Sequence, residues 1–279
     1  MNIETLATKI ETTYDSRNMS ETSGVQKLFS EFLQALNAGK IRIAEKVGND
    51  WKINHWVKKG ILIGFKIGKL TDISINENFV YYDKSTFPLK KISLSDNIRI
   101  VPGGSSIRDG SFVSSGVVCM PPMYINVGAY VDEETMIDSH ALVGSCAQIG
   151  KRVHISAAAQ IGGVLEPISA RPVIIEDDVL IGGNCGIYEG TLIRQKAVIA
   201  ANTILTGSTP VYDLVNEKIY RKEGNTPLEI PEGAVVIPGS RSISKGWGHQ
   251  NGLSIQTPII VKYRDSKTNK AVELEDFLR

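Results

Sequence analysis

Isoleucine and valine recur every six residues through the middle of the chain, a period that few folds accommodate. Stepping by six from Val101 meets Ile107, Val113, Cys119, Ile125, Val131, Ile137, Val143, Ile149, Ile155 and Ile161. Ten of these eleven are Ile or Val, although the 34 Ile and 22 Val make up only a fifth of the 279 residues. A fixed register would do this by chance about once in a million. The period breaks, then resumes at Ile175, Ile181, Ile187, Ile193, Ile199, Leu205 and Val211. Four residues after each anchor the side chain is small or β-branched, as at Ala129, Thr135, Ala141 and Ala147, with Met123 as the exception. Ordinary sandwich strands carry turn signals every 8–12 residues and have no reason to keep a strict six. A solenoid does. The chain turns a corner every six residues, the anchor points inward, and a small residue sits where neighbouring faces crowd. Stacked coils then pair their backbones about 4.8 Å apart around a continuous aliphatic column. The expected fold class is therefore mainly β, a parallel β-helix of about six coils at three hexads per coil.

The flanks divide the chain. Residues 1–98 read as an N-terminal α/β domain, residues 99–212 as the β-helix and residues 213–279 as a small C-terminal extension. Ile3, Leu6, Ile10 and Tyr14 have helical spacing, as do Val25, Leu28, Phe29, Phe32, Leu33 and Leu36, which Gly39 closes. The string IRIAEKV-GND-WKIN reads as a hairpin, and His55–Ile67 as a further helix despite Gly60 and Gly64. In the extension, VYDLVNEKIYRK reads as a hairpin turning at Asn216 and Glu217, followed by short strands at 234–237 and 259–263 and a closing helix at 272–278. Capping both solenoid ends avoids exposed, unpaired edges. The interval from Ile161 to Ile175 is 14 residues, which is two hexads plus two residues or one hexad plus eight. Either way a loop near residues 163–174 leaves the prism, and such loops often line sites.

Composition removes several classes of function. A formal net charge of +1 gives no electrostatic reason to expect nucleic acid or an anionic membrane as partner. No run of 18 apolar residues is present, and the start lacks a secretory h-region, so a cytoplasmic location is expected. Three cysteines, Cys119, Cys146 and Cys185, read as reduced thiols. His140 and His154 are 14 residues apart, not the His-x4-His spacing of a trimeric zinc hydratase, so no metal is expected. There is no Walker or dinucleotide fingerprint.

The hexads resemble the hexapeptide-repeat acyltransferases, and the strings between them narrow the resemblance. YINVGAYVDEETMID (124–138), VGSCAQIG (143–150), GGVLEP (162–167), IYEG (187–190), AEKV (44–47) and WVKKGILI (56–63) are similar to the tetrahydrodipicolinate N-succinyltransferase family. The resemblance implies a left-handed β-helix, a homotrimer with sites between subunits, small-molecule substrates, and succinyl-CoA as co-substrate lying along the groove between prisms. It also implies a succinyl transfer to the amino group of ring-opened tetrahydrodipicolinate, a step toward diaminopimelate and lysine.

Thioester-to-amine transfer needs a base for the amine, donors for an oxyanion and cations for the substrate carboxylates. The family's acidic pair falls on Asp138 and Glu189. Asp138 follows an anchor directly and Glu189 follows one by two, so both are expected on the outer surface. Repeat phase places them on different faces and more than two coils apart, about 10 Å along the axis, so two neighbouring prisms are needed to bring them together. The family's substrate-binding arginine matches Arg99, with Arg108 as the competing assignment because GGSS lengthens the segment between them; Asp138 is expected as a further substrate contact. Ser145, Gly163 and Lys245 are candidate cofactor contacts, the last within the basic, Gly-rich GSRSISKGWG (239–248). Two rival functions remain at this level: another hexapeptide acyltransferase using acetyl-CoA and an amino-sugar acceptor, and a catalytically idle scaffold.

Overall fold

The computed structural model describes residues 2–16 and 22–264. Its centre is a parallel β-helix whose two-residue strands stack into three flat faces. The first face runs from Arg99–Ile100 through Val118–Cys119, Met136–Ile137, His154–Ile155 and Leu180–Ile181 to Val198–Ile199. The second runs from Ser106–Ile107 to Ile204–Leu205, and the third from Phe112–Val113 to Glu229–Ile230. In each pair the second residue is the inward anchor, and the residues four places after the anchors close the same buried column, with Ala129, Ala147, Thr135 and Thr203 all at most 2% exposed. Most corners follow one rule. The third residue after the anchor has positive φ, as at Gly128, Glu134, His140, Cys146, Arg152 and Ala158. Asparagine and glycine suit such positions, but here the stacked backbone ladder imposes the conformation on other residues as well.

The repeat departs from the sequence expectation in three places. Cys119 pairs with Ile100, not Val101, because the segment Pro102–Ser105 carries one extra residue around the first coil. Ile161 on the second face is followed by Ile175 on the third, so the 14-residue interval is a single step with eight residues inserted. Val211 leaves the column. After Leu205 the chain makes the Val211–Asp213/Lys218–Tyr220 hairpin, and Glu229–Ile230 returns to complete the third face. Val235 and Val236 then add to the first, so part of the segment read as C-terminal extension belongs to the last coil. The strands expected at 234–237 and 259–263 are longer. Ala234–Ser242 and Ser254–Tyr263 form one antiparallel arm with the short helix Gly246–Gln250 at its tip. The helix expected at 272–278 lies outside the described residues.

The N-terminal domain covers the third face. Its helices are α1 (Ile3–Asp15), α2 (Ser23–Asn37) and α3 (His55–Ile67). The Asn2 side chain caps α1 by accepting from Thr5 N–H at 2.8 Å. Gly60 and Gly64 interrupt the helical pattern of α3 for a packing reason: a Cβ there would lie 2.5 Å from the Phe32 ring or 2.4 Å from the Phe29 ring. The hairpin Ala44–Val47/Asp50–Ile53 brings Ala44, Trp51 and Ile53 onto Ile174 and Leu192 of the prism. Arg42 stacks 3.6 Å above the Tyr130 ring and donates to Gln148 Oε1 at 2.9 Å. No helix among the described residues is long and apolar enough to cross a membrane.

Two measurements test this core. Ile149 is fully buried in the column, and Ile149→Ala is expected to cost about 2–5 kcal/mol in urea unfolding. Burial pushes the Cys119 and Cys146 thiols up to about 12 from an ordinary value of 9.0. The unfolded chain therefore releases these protons first. Their contribution to stability is complete below about pH 9 and is lost as pH rises toward 12. Unfolding free energy is expected to fall between pH 9 and 11, and to fall less in a Cys119→Ala/Cys146→Ala double variant, to the order of 1 kcal/mol per pH unit for each thiol removed.

Candidate active site

The second face ends at a corner where the same turn position recurs on successive coils. Ser145, Gly163, Glu189 and Gly207 each stand two residues after an anchor, Val143, Ile161, Ile187 and Leu205. Three of the candidate residues therefore form one ladder at one edge of the prism. The stack is tight. A Cβ on Gly144 would lie 2.2 Å from Gly163 N, and one on Gly163 would lie 2.6 Å from Ser145 N. The Tyr188 ring crosses Gly162 and Gly186, where an added Cβ would meet it at 2.7 and 2.5 Å. Glycine is required here by close approach, not by turn conformation.

The Glu189 corner has a second left-handed residue in addition to the usual one. The φ of Glu189 is 53° and that of Gly190 is 71°, so both central residues of the turn closed by Thr191 N–H to Tyr188 O are left-handed. That is the φ signature of a type I′ turn, which favours Asn and Gly and strains Glu. The Glu189 side chain is exposed, and its Oε2 accepts from Gly207 N–H at 2.8 Å.

The inserted segment folds back over this corner and encloses a groove of about 1000 Å³ whose lining includes Gly163, Glu166, Arg171, Tyr188, Glu189 and Lys222. Helix α3 holds the segment from below. Lys58, 0% exposed, donates from Nζ to Ala170 O at 2.6 Å, and His55 Nδ1 donates to Ile168 O at 2.9 Å. Burial lowers the Lys58 pKa below the ordinary lysine value. A buried ammonium is costly to uncouple, so the segment is tied firmly to the N-terminal domain.

Asp138 lies elsewhere, at the corner between the first and second faces. Its Oδ1 accepts from Ser139 N–H at 2.7 Å, and its Oδ2 is 4.0 Å from His154 Nε2 on the next strand. Its side chain keeps 29% exposure. Arg99 occupies the same face two strands below Met136, about 10 Å along the ladder. It is exposed, and its side chain makes no hydrogen bond or ion pair among the described residues. Within one chain the structure thus groups Arg99 with Asp138 and, separately, Ser145 and Gly163 with Glu189. Arg108 does not join either group. Its guanidinium pairs with Asp83 and lies 5.3 Å from the Phe65 ring centre and 5.8 Å from that of Phe87, an internal tie between prism and N-terminal domain. Lys245 sits at the tip of the arm, outside the groove lining. Among the described residues no cluster of three or more His, Cys, Asp or Glu is disposed to hold a metal ion.

Comparison with known proteins agrees across the chain. The description "Tetrahydrodipicolinate N-succinyltransferase N-terminal" matches residues 5–67, and "Hexapeptide repeat of succinyl-transferase" matches residues 172–207. A Bradyrhizobium diazoefficiens protein named 2,3,4,5-tetrahydropyridine-2,6-dicarboxylate N-succinyltransferase is 37% identical over 290 aligned positions, covering 100% of both chains. The proteins of that name from Acinetobacter baylyi and Polynucleobacter asymbioticus are 37% and 38% identical and cover 98% and 97% of both chains. With identity at this level from end to end, on a hexapeptide β-helix of this form, the chain belongs to the 2,3,4,5-tetrahydropyridine-2,6-dicarboxylate N-succinyltransferase family.

Proposed function

We propose that this protein transfers the succinyl group of succinyl-CoA to the amino nitrogen of ring-opened tetrahydrodipicolinate, 2-amino-6-oxopimelate, as a cytoplasmic homotrimer whose sites lie between subunits. Full-length similarity to enzymes of that name supports the chemistry. The observation that carries the intersubunit reading is the separation of the two acids. Asp138 and Glu189 stand at neighbouring corners and two coils apart, about 10 Å along the axis. The free surfaces support it too. The third face is occupied by the chain's own N-terminal domain, whereas the first and second present the half-buried outward side chains Met136, Leu180, Val198 and Leu142, Ile204. Packing these around a threefold axis covers apolar surface and sets the Asp138 corner of one subunit against the Glu189 groove of the next.

The chemistry follows from the groups. The acceptor amine is an ammonium at neutral pH and must lose a proton before it attacks. One of the two carboxylates, Asp138 or Glu189, takes that proton. The nitrogen lone pair then adds to the thioester carbonyl carbon, a C–N bond forms, the C–S bond breaks, and the second proton that the nitrogen must lose to become an amide goes to the departing CoA thiolate. Arg99 supplies a cation for an acceptor carboxylate near Asp138. Ser145 and Gly163 offer a narrow backbone edge along which the pantetheine chain lies, and Lys245 of the arm attracts the CoA phosphates.

Purified protein with succinyl-CoA and 2-aminopimelate should release free thiol, and acetyl-CoA with an amino sugar should not. Asp138→Ala and Glu189→Ala should each lower turnover by about 10²–10⁴-fold while sedimenting as trimers. Co-assembling the two inactive variants one to one should recover about a quarter of the wild-type activity, because a quarter of random neighbour pairs place an intact Asp138 against an intact Glu189. No recovery would mean that both acids act within one chain.

A further inference from the structure

The groove holds a cation that the protein itself does not use. Arg171 lies in the inserted segment beside the Glu189 corner, close enough that a Cβ on Gly190 would stand 2.9 Å from its carbonyl oxygen and 3.0 Å from its own Cβ. Its Nε is buried without a hydrogen-bond partner, and its guanidinium makes no ion pair among the described residues. The acids around it are remote or committed. Asp50 and Glu229 attract it only at a distance. Glu229 Oε1 accepts from Arg194 Nε at 2.7 Å, and Glu176 Oε1 accepts from Arg194 Nη1 at 3.2 Å. Arg194 in turn repels it, and burial lowers its pKa from the ordinary arginine value. A half-buried guanidinium left with an unpaired donor is unfavourable unless an anion completes it. The segment that carries it is clamped by Lys58 and His55, so the side chain is presented from a fixed backbone.

We infer that Arg171 binds a substrate carboxylate in the groove beside Glu189, through the paired N–H geometry that guanidinium offers a carboxylate and ammonium does not. This rests on the succinyl-transfer reading, in which two sources of such a carboxylate exist: the far end of the succinyl donor and the acceptor diacid. The residue is then a determinant of substrate choice, separate from the acid pair.

Steady-state kinetics of wild type, Arg171→Met and Arg171→Lys test it, with succinyl-CoA, butyryl-CoA (a methyl in place of the carboxylate) and 2-aminopimelate as probes. If the donor carboxylate is bound, Arg171→Met loses about 10²-fold in kcat/KM for succinyl-CoA, keeps its rate with butyryl-CoA, and Arg171→Lys recovers only part of the loss. If the acceptor carboxylate is bound, the KM for 2-aminopimelate rises by a similar factor with both donors while the donor KM is unchanged. Either pattern supports the inference. Unchanged constants in both variants overturn it. So does an equal loss toward succinyl-CoA and butyryl-CoA with unaltered acceptor KM, which would assign Arg171 to CoA itself or to the fold. Absence of succinyl transfer by the wild-type protein overturns the underlying reading first, and the inference with it.

Discussion

Everything in this molecule hangs on the vertical pairing of two-residue strands around one column of aliphatic anchors. Each coil hydrogen-bonds to the coils above and below, and each anchor touches its equivalents, so the position of a residue in the repeat fixes its height, face and direction. That is why Arg99 falls with Asp138 on one edge, and Ser145 and Gly163 with Glu189 on another. A globular core would leave such relationships to be settled by irregular packing. Here they are settled by counting.

Counting reads much of the fold from the sequence and fails where the backbone stops repeating. The hexads from Ile107 to Ile161 and from Ile175 to Leu205 lie where the period puts them, because inward direction and corner crowding both leave a mark on residue type. The anchors at the two ends do not. Val101 yields to Ile100 because one extra residue is absorbed in an exposed loop, and Val211 is apolar for a different reason, as it seals the prism from a hairpin. Periodicity cannot tell an aliphatic residue that continues a column from one that covers its end.

The site was legible in part. The outward placement of Asp138 and Glu189, and their separation, follow from phase alone. What surrounds them does not. The groove depends on how eight inserted residues fold, and those residues have no repeat to read. Lys58 gave no signal, since a lysine in an amphipathic helix is usually a solvated one; its role is set by the Ala170 carbonyl brought over from 112 residues away. Tyr188 and Lys222 likewise enter the groove only through tertiary structure. The left-handed φ of Glu189 is equally silent in the sequence, because glutamate is not a residue type that marks such a turn. Arg108 shows the opposite failure: a plausible ligand-binding residue by position, taken up instead by Asp83.

The eight-residue insertion sits between two faces without shifting the height of any later coil. Scaffold and groove are thereby mechanically decoupled. The wall that carries Arg171 can be lengthened, shortened or re-lettered while the ladder beneath it keeps its register, so the shape and charge of the groove can change by altering a single excursion while the scaffold stays the same.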